Sequence, residues 1–420
     1  MTRYLITGAR IADPASDRLY EADLRIADGF IAGIGDLDPS GEEEVIDAHG
    51  RLLAPALIDK RAHSATPAGA ASAERLSQTA SAAASGGIGT LILAPNGACG
   101  LSSPEDIDWL DAQALTLPVR VHGAGLATAN GELNEIGLML RAGALYLSDG
   151  GQPIADSRLV RRALSYAAGF EAWVSLRPED AHLIADTVAH ESDLSSRLGL
   201  PARPGVSERF GVERDTGLAE LTGGRLILDR ITTADGIAAA RAARQRGLEV
   251  AITVPVSHLV FNEVDAGNFD ARYRLDPPLR SEEDRLALID ALARGVVDAV
   301  VSAHTAVGSV AKANPFADAV PGTTSLHALL PALLTLVETG QLDLLSALRP
   351  VTSGPADLLG LAQGRIEEGA PADLILIDPS APVVLGDGAV RGGAKSAFAG
   401  RRLFGKILMS FIEGAIILQP

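Results

Sequence analysis

Along the first fifty positions, apolar residues come in short runs cut by turn residues. Tyr4-Leu5-Ile6, Ala22 to Ile26, Phe30 to Ile34 and Glu44-Val45-Ile46 are separated by Gly, Asp and Pro, the punctuation of short strands. From Leu52 a different rhythm begins, in which strand-length apolar runs alternate with Ala-rich stretches. The runs are Leu52 to Ile58, Thr90 to Ala94, Val119 to His122, Ala144 to Leu147, Ala172 to Leu176, Arg225 to Leu228, Leu248 to Val254 and Val297 to Ser302. Strands that are apolar throughout suit a sheet buried on both faces, and eight of them predict a parallel (β/α)8 barrel, the TIM-barrel architecture. Some helix limits are legible: Thr233-Ala234-Asp235 opens a stretch to Gln245 that Gly247 closes, and Ser281-Glu282-Glu283-Asp284 opens another ended at Gly295. After residue 365 the strand pattern returns, in Asp373 to Ile377 and Lys406 to Ile412. Residues 1–53 and 365–420 are therefore expected to join in one small β-sandwich domain beside a barrel of residues 54–364. No internal repeat is visible beyond the β/α alternation.

Composition narrows the field. Hydrophobic residues make up 47% of the 420 positions, enough for a large core and too many for a disordered chain. The formal net charge of −17 argues against nucleic acid or an anionic membrane surface as partner. No apolar run approaches the ~18–20 residues that span a bilayer, and the N-terminus lacks the apolar core of a signal peptide, so a cytoplasmic location is expected. Cys99 is the single cysteine, which excludes an intrachain disulfide and a cysteine-type structural zinc site. Lysine occurs only at positions 60, 312, 395 and 406.

In such a barrel the chemistry lies at the C-terminal strand ends. Pro55-Ala56-Leu57-Ile58-Asp59-Lys60-Arg61-Ala62-His63 resembles the amidohydrolase signature in which Pro-Gly-Leu-Ile-Asp leads into His-x-His. Ala94-Pro95-Asn96, Ser148-Asp149-Gly150-Gly151, Pro277-Pro278-Leu279-Arg280 with Asp284-Arg285, Gly364 to Gly369 with Ala372-Asp373-Leu374, and the closing Gly400 to Gly405 are similar to dihydroorotase motifs through nearly the whole chain. The resemblance implies an amidohydrolase barrel with a zinc centre and pyrimidine chemistry. It also locates that centre's residues, and most have changed. His-x-His is Arg61 and His63. The strand-5 His-x-Glu-Asp is Arg177-Pro178-Glu179-Asp180, and the strand-6 histidine is Arg230. The strand-8 aspartate is Ala303, followed by His304. On the substrate side the expected arginine is Ala65, Asn96 is retained, the Pro-His-His-Leu histidine corresponds to His258, and an asparagine is Asp276. His63 and Asp149 remain as the residual metal candidates.

The losses bear on hydrolysis directly. A catalytic zinc needs about three protein ligands with lone pairs and an open position for water, and a guanidinium offers donors only. Carbamylated lysine, the family's metal bridge on strand 4, has no counterpart, because no lysine lies between Lys60 and Lys312. Bound zinc lowers the pKa of water from 15.7 to about 7, worth about 12 kcal/mol in forming hydroxide, and no side chain at these positions replaces that. The sequence is therefore expected to hold no metal or other cofactor. Its arginines are expected to fill the vacated volume, pairing with Asp149 or Glu179, with at least one ion pair to Asp149. The leading function is a non-catalytic dihydroorotase homologue; in bacteria that carry one, it supports assembly of aspartate carbamoyltransferase, and the resemblance implies that partner in a hetero-oligomer, or a homo-oligomer. The alternatives are an active cyclic-amide hydrolase with an atypical site, and a sensor whose arginine-lined pocket binds an anion.

Overall fold

The computed structural model describes residues 3–64, 70–96, 100–387 and 394–418; Ala65 and Cys99 lie outside them. Eight parallel strands form the barrel. They are Leu57–Ala62, Ile88–Leu93, Arg120–Gly123 continued by Gly125–Leu126, Leu147–Ser148, Trp173–Leu176, Arg225–Leu228, Val250–Pro255 and Ala299–Val301. Each pairs in parallel with the next. The ring closes through a parallel bridge between Ala62 and His304, where the His63 N–H donates to the His304 carbonyl at 2.8 Å. The strands are buried almost end to end, as their unbroken apolar runs require.

Helices cover the outside. Ala234–Gln245 starts on Thr233, whose hydroxyl accepts from the Gly236 N–H. Glu282–Ala293 starts on Ser281, which accepts from the Asp284 N–H. Each cap satisfies a backbone donor that a helix N-terminus otherwise leaves open.

The two chain ends build one sheet of eight strands. Its order runs Ala415–Leu418, Arg402–Ile412, Leu374–Val384, Leu52–Pro55, Tyr4–Asp13, Arg18–Ala27 and Phe30–Gly35, with Glu44–Asp47 on the side of Tyr4–Asp13. The sheet curls over its own core of Ile6, Ile11, Leu24, Ile26, Leu53, Leu376 and Phe411. That curl brings the Tyr4 ring edge-on to Phe411, 5.6 Å between centroids, although their strands are not neighbours.

One boundary differs from the sequence reading. Leu52 to Ile58 is not a single barrel strand. Leu52–Pro55 pairs with Leu374 to Ile377 in the terminal sheet, and the chain changes sheets at Ala56. There the Ala56 N–H donates to Asp373 and the Leu57 N–H to Gly87. Both pieces are fully buried, so hydrophobicity carries no mark of the switch.

The terminal domain also braces the barrel mouth. Ser396 Oγ donates to the Thr324 carbonyl at 2.7 Å, and the Ala397 N–H donates to Thr323 Oγ1 at 2.8 Å. These bonds fix the segment after the last barrel strand, which forms one wall of the site.

Candidate functional site

A cavity of about 200 Å³ opens at the C-terminal strand ends. Of the residues singled out in the sequence, Arg61, His63, Asn96, Arg230, His258, Asp276 and Ala303 line it, whereas Asp149, Arg177 and His304 do not. Arg230 and Ala303 end the sixth and eighth strands in left-handed backbone, φ +61° and +52°, a conformation that costs a residue with a Cβ roughly 1–2 kcal/mol. The turn at Arg230 is held by its N–H on Thr253 Oγ1 at 2.9 Å.

Behind Arg61 and Arg230, and not itself on the cavity lining, stands Asp229. Its carboxylate meets Lys60 Nζ at 3.3 Å, Arg61 Nε at 2.8 Å and Arg230 Nε at 3.0 Å. Burial pushes the Asp229 carboxyl up, but these three cations outweigh it and hold it well below the usual carboxylate range. Lys60 is wholly buried against the Tyr146 ring, 4.8 Å from its centroid; burial draws its ammonium below the normal lysine range. Burial, and then the charge of Arg61, lower Arg230 to about 10. His63 Nδ1 lies 2.8 Å from the Ala94 carbonyl, which can only accept, so Nδ1 carries the proton. Nε2 then accepts from Arg61 Nη2 at 3.0 Å. Burial and Arg61 both push this histidine well below its ordinary pKa, so it is neutral.

A second cluster lies to the side. Arg177 grips Asp276 with two bonds of 2.6 Å and Glu179 with Nε at 2.7 Å. Arg203 reaches Glu179 at 2.8 Å and Asp276 at 3.1 Å, and Arg280 reaches Glu179 at 3.0 Å and Glu208 at 3.9 Å. Burial pushes Glu179 up, yet Arg177, Arg203 and Arg280 hold it at about 2.

The expected ion pair to Asp149 is not formed. Asp149 accepts the Gly151 N–H at 2.8 Å and the Arg177 backbone N–H at 2.6 Å. Its carboxylate serves the backbone at the ends of strands 4 and 5, while the Arg177 side chain runs outward to Asp276 and Glu179. Burial lifts the Asp149 carboxyl to about 6.

His258 donates from Nε2 to the Pro278 carbonyl at 3.0 Å and accepts from Ser257 Oγ at Nδ1, 3.1 Å away. Burial lowers it to about 4. His304 Nδ1 accepts the Ser325 N–H at 3.2 Å, so its buried Nε2–H has no partner among the described residues. Among the described residues, no group of three or more His, Cys, Asp or Glu side chains is placed to hold a metal ion. Asp229 and Arg203 are the site residues that sequence reasoning did not single out, and Lys60 and Arg280 stood inside motifs without a role assigned to them. The available signal was an acidic residue at the end of an apolar strand, Leu228-Asp229-Arg230.

A parallel eight-stranded barrel with its cavity at the C-terminal strand ends, flanked by a sheet from both termini, defines a protein of the amidohydrolase class. The chain belongs to the amidohydrolase family, in its dihydroorotase-like branch. Residues 190–417 match the amidohydrolase family profile and residues 50–235 the dihydro-orotase-like profile. It is 34% identical over 415 residues to a "dihydroorotase-like protein" of Pseudomonas aeruginosa, covering 97% of this chain and 98% of that one. A dihydroorotase of Pelotomaculum thermopropionicum is 34% identical over 423 residues, 99% of each chain. A dihydroorotase of Anaeromyxobacter dehalogenans is 33% identical over 429 residues, 98% of this chain and 97% of that one. Among solved structures, an L-hydantoinase (dihydropyrimidinase) from Arthrobacter aurescens superposes with a TM-score of 0.86 at 21% identity, covering all of this chain and 96% of the other. That likeness concerns the fold. No helix among the described residues is long and apolar enough to cross a membrane.

Proposed function

We propose that this dihydroorotase-like chain has exchanged a hydrolytic metal centre for buried ion pairs, and that it serves as a structural partner of aspartate carbamoyltransferase. The observation that carries the reading is the fate of the ligand positions. Arg61 and Arg230 are bound to Asp229, Arg177 is bound to Glu179 and Asp276, and the His63 Nε2 lone pair is taken by Arg61. These residues do not fit the family's zinc. Guanidiniums have no lone pair to give and repel a cation, and Asp149 and His258 already hold hydrogen bonds to the chain itself. At the strand-8 position Ala303 has no group to move a proton. What the barrel retains is a stable frame with surface to offer a partner.

The test is co-expression with the transferase of the same organism, followed by size-exclusion chromatography and a carbamoyltransferase assay. Co-elution is expected, with the transferase less assembled and less active alone. Separate elution at micromolar concentration, with a transferase fully assembled and active by itself, would refute the partnership. Hydrolysis of dihydroorotate by the purified chain at ~1 s⁻¹ or faster, an enzyme-like rate, would replace the reading with that of an atypical hydrolase.

A further inference from the structure

We propose that the barrel-mouth cavity is an oxyanion receptor, holding a small molecule by a carboxylate or phosphate group between the guanidiniums of Arg61 and Arg230. The inference rests on the metal-free reading of the site. Its first ground is local charge. Arg61 and Arg230 both line the cavity, whereas the carboxylates of Asp229, Asp59 and Asp149 stand behind them. Asp276, the only acidic residue on the cavity lining among the described residues, is already gripped by Arg177 and Arg203.

The second ground is geometry. Both arginines bring Nε to Asp229, while Arg61 Nη2 donates to His63 Nε2 at 3.0 Å and Arg230 Nη1 to the Asp276 carbonyl at 2.8 Å. A Cβ placed on Gly151 would lie 2.6 Å from Arg61 Nη2 and 3.2 Å from Arg230 Nη2, so glycine here lets the two guanidiniums lie side by side against the backbone. Arg61 Nη1 has no hydrogen-bond partner among the described residues and is not enclosed. Arg230 Nη2 reaches only the Gly151 carbonyl, at 3.5 Å. Planar forks presented side by side are the usual means of gripping a carboxylate or phosphate. Asn96, Gln152, Thr305 and Thr323 add polar groups around the cavity, and Leu275 and Val320 an apolar wall, so a small organic acid fits better than a bare ion.

The test is isothermal titration of the full chain in EDTA at constant ionic strength, with succinate, inorganic phosphate and neutral succinamide as probes. Saturable one-to-one binding of succinate or phosphate is expected, with succinamide at least ~10-fold weaker. Succinate alone would name a carboxylate and phosphate alone a phosphate, and either supports the receptor. Val320→Trp, a bulky change on the half-exposed wall that should leave the fold intact, and Arg61→Gln should each weaken binding by about tenfold or more. No saturation by either anion, with or without EDTA, overturns the receptor and leaves the metal-free reading standing. Binding that survives both substitutions also overturns it. Binding that appears only with added zinc overturns the receptor and the metal-free reading together.

Discussion

Around Glu179 and Asp276, three guanidiniums meet three carboxylates: Arg177, Arg203 and Arg280 against Glu179, Asp276 and Glu208. Behind the cavity, Asp229 forms ion pairs with Lys60, Arg61 and Arg230. The first cluster is closed and balanced, and most of it lies behind the cavity wall. The second reaches the cavity through Arg61 and Arg230. An arginine at a former ligand position can therefore do two different things. Arg177 is part of a lattice of ion pairs, whereas Arg61 and Arg230 reach the cavity lining, where on the proposed reading they stand in place of a metal.

The comparison breaks most visibly in the balanced cluster. Glu179→Gln leaves three buried guanidiniums short of their shared acceptor and should cost about 3–5 kcal/mol, the usual penalty for opening a buried pair. Urea unfolding should show a lowered midpoint with an unchanged slope. The same residue sets a pH signature. Its folded pKa of about 2 lies below the ordinary glutamate value, so its contribution is present above about pH 4.5 and lost as pH falls toward 2. The difference in unfolding free energy between wild type and Glu179→Gln should be flat above pH ~5 and shrink by about 3 kcal/mol by pH ~2, at ~1.4 kcal/mol per unit. A difference that does not change with pH would mean that Glu179 does not carry the charge assigned to it.

Smaller effects follow in the second cluster. Gly151→Ala adds a Cβ against both guanidiniums in backbone of φ +75° and should cost about 1–3 kcal/mol, read as a lowered melting temperature. Arg61→Gln should cost at most about 1 kcal/mol, because Asp229 keeps Lys60 and Arg230 and a like-charge contact is relieved. If Arg61→Gln proved as damaging as Glu179→Gln, the two clusters would not differ in the way described.

Much of this was legible in the sequence, and the gaps have physical reasons. The barrel announced itself through eight apolar runs, and Arg61, Arg177 and Arg230 through their places at strand ends. The strand switch at Ala56 was hidden because Leu52–Pro55 and Leu57–Ala62 are both buried and no polar residue separates them. The partner of Arg61 was hidden because Asp229 is 168 positions away and becomes its neighbour only when the barrel closes. Asp149 was misassigned for a different reason. Sequence shows which charges exist, but the choice between a guanidinium and two backbone N–H groups depends on strand register. Arg203 carries no motif that sets it apart from the other arginines of an arginine-rich chain, and the motif that holds Arg280 does not show which carboxylate it meets.

The central claim, that guanidiniums and not a metal occupy the heart of this amidohydrolase barrel, is tested most directly by the metal content of the purified protein. The chain should be expressed in zinc-supplemented medium, dialysed without chelator and measured by inductively coupled plasma mass spectrometry. The account predicts well under one zinc per chain. One or two tightly held metal ions per chain would contradict it.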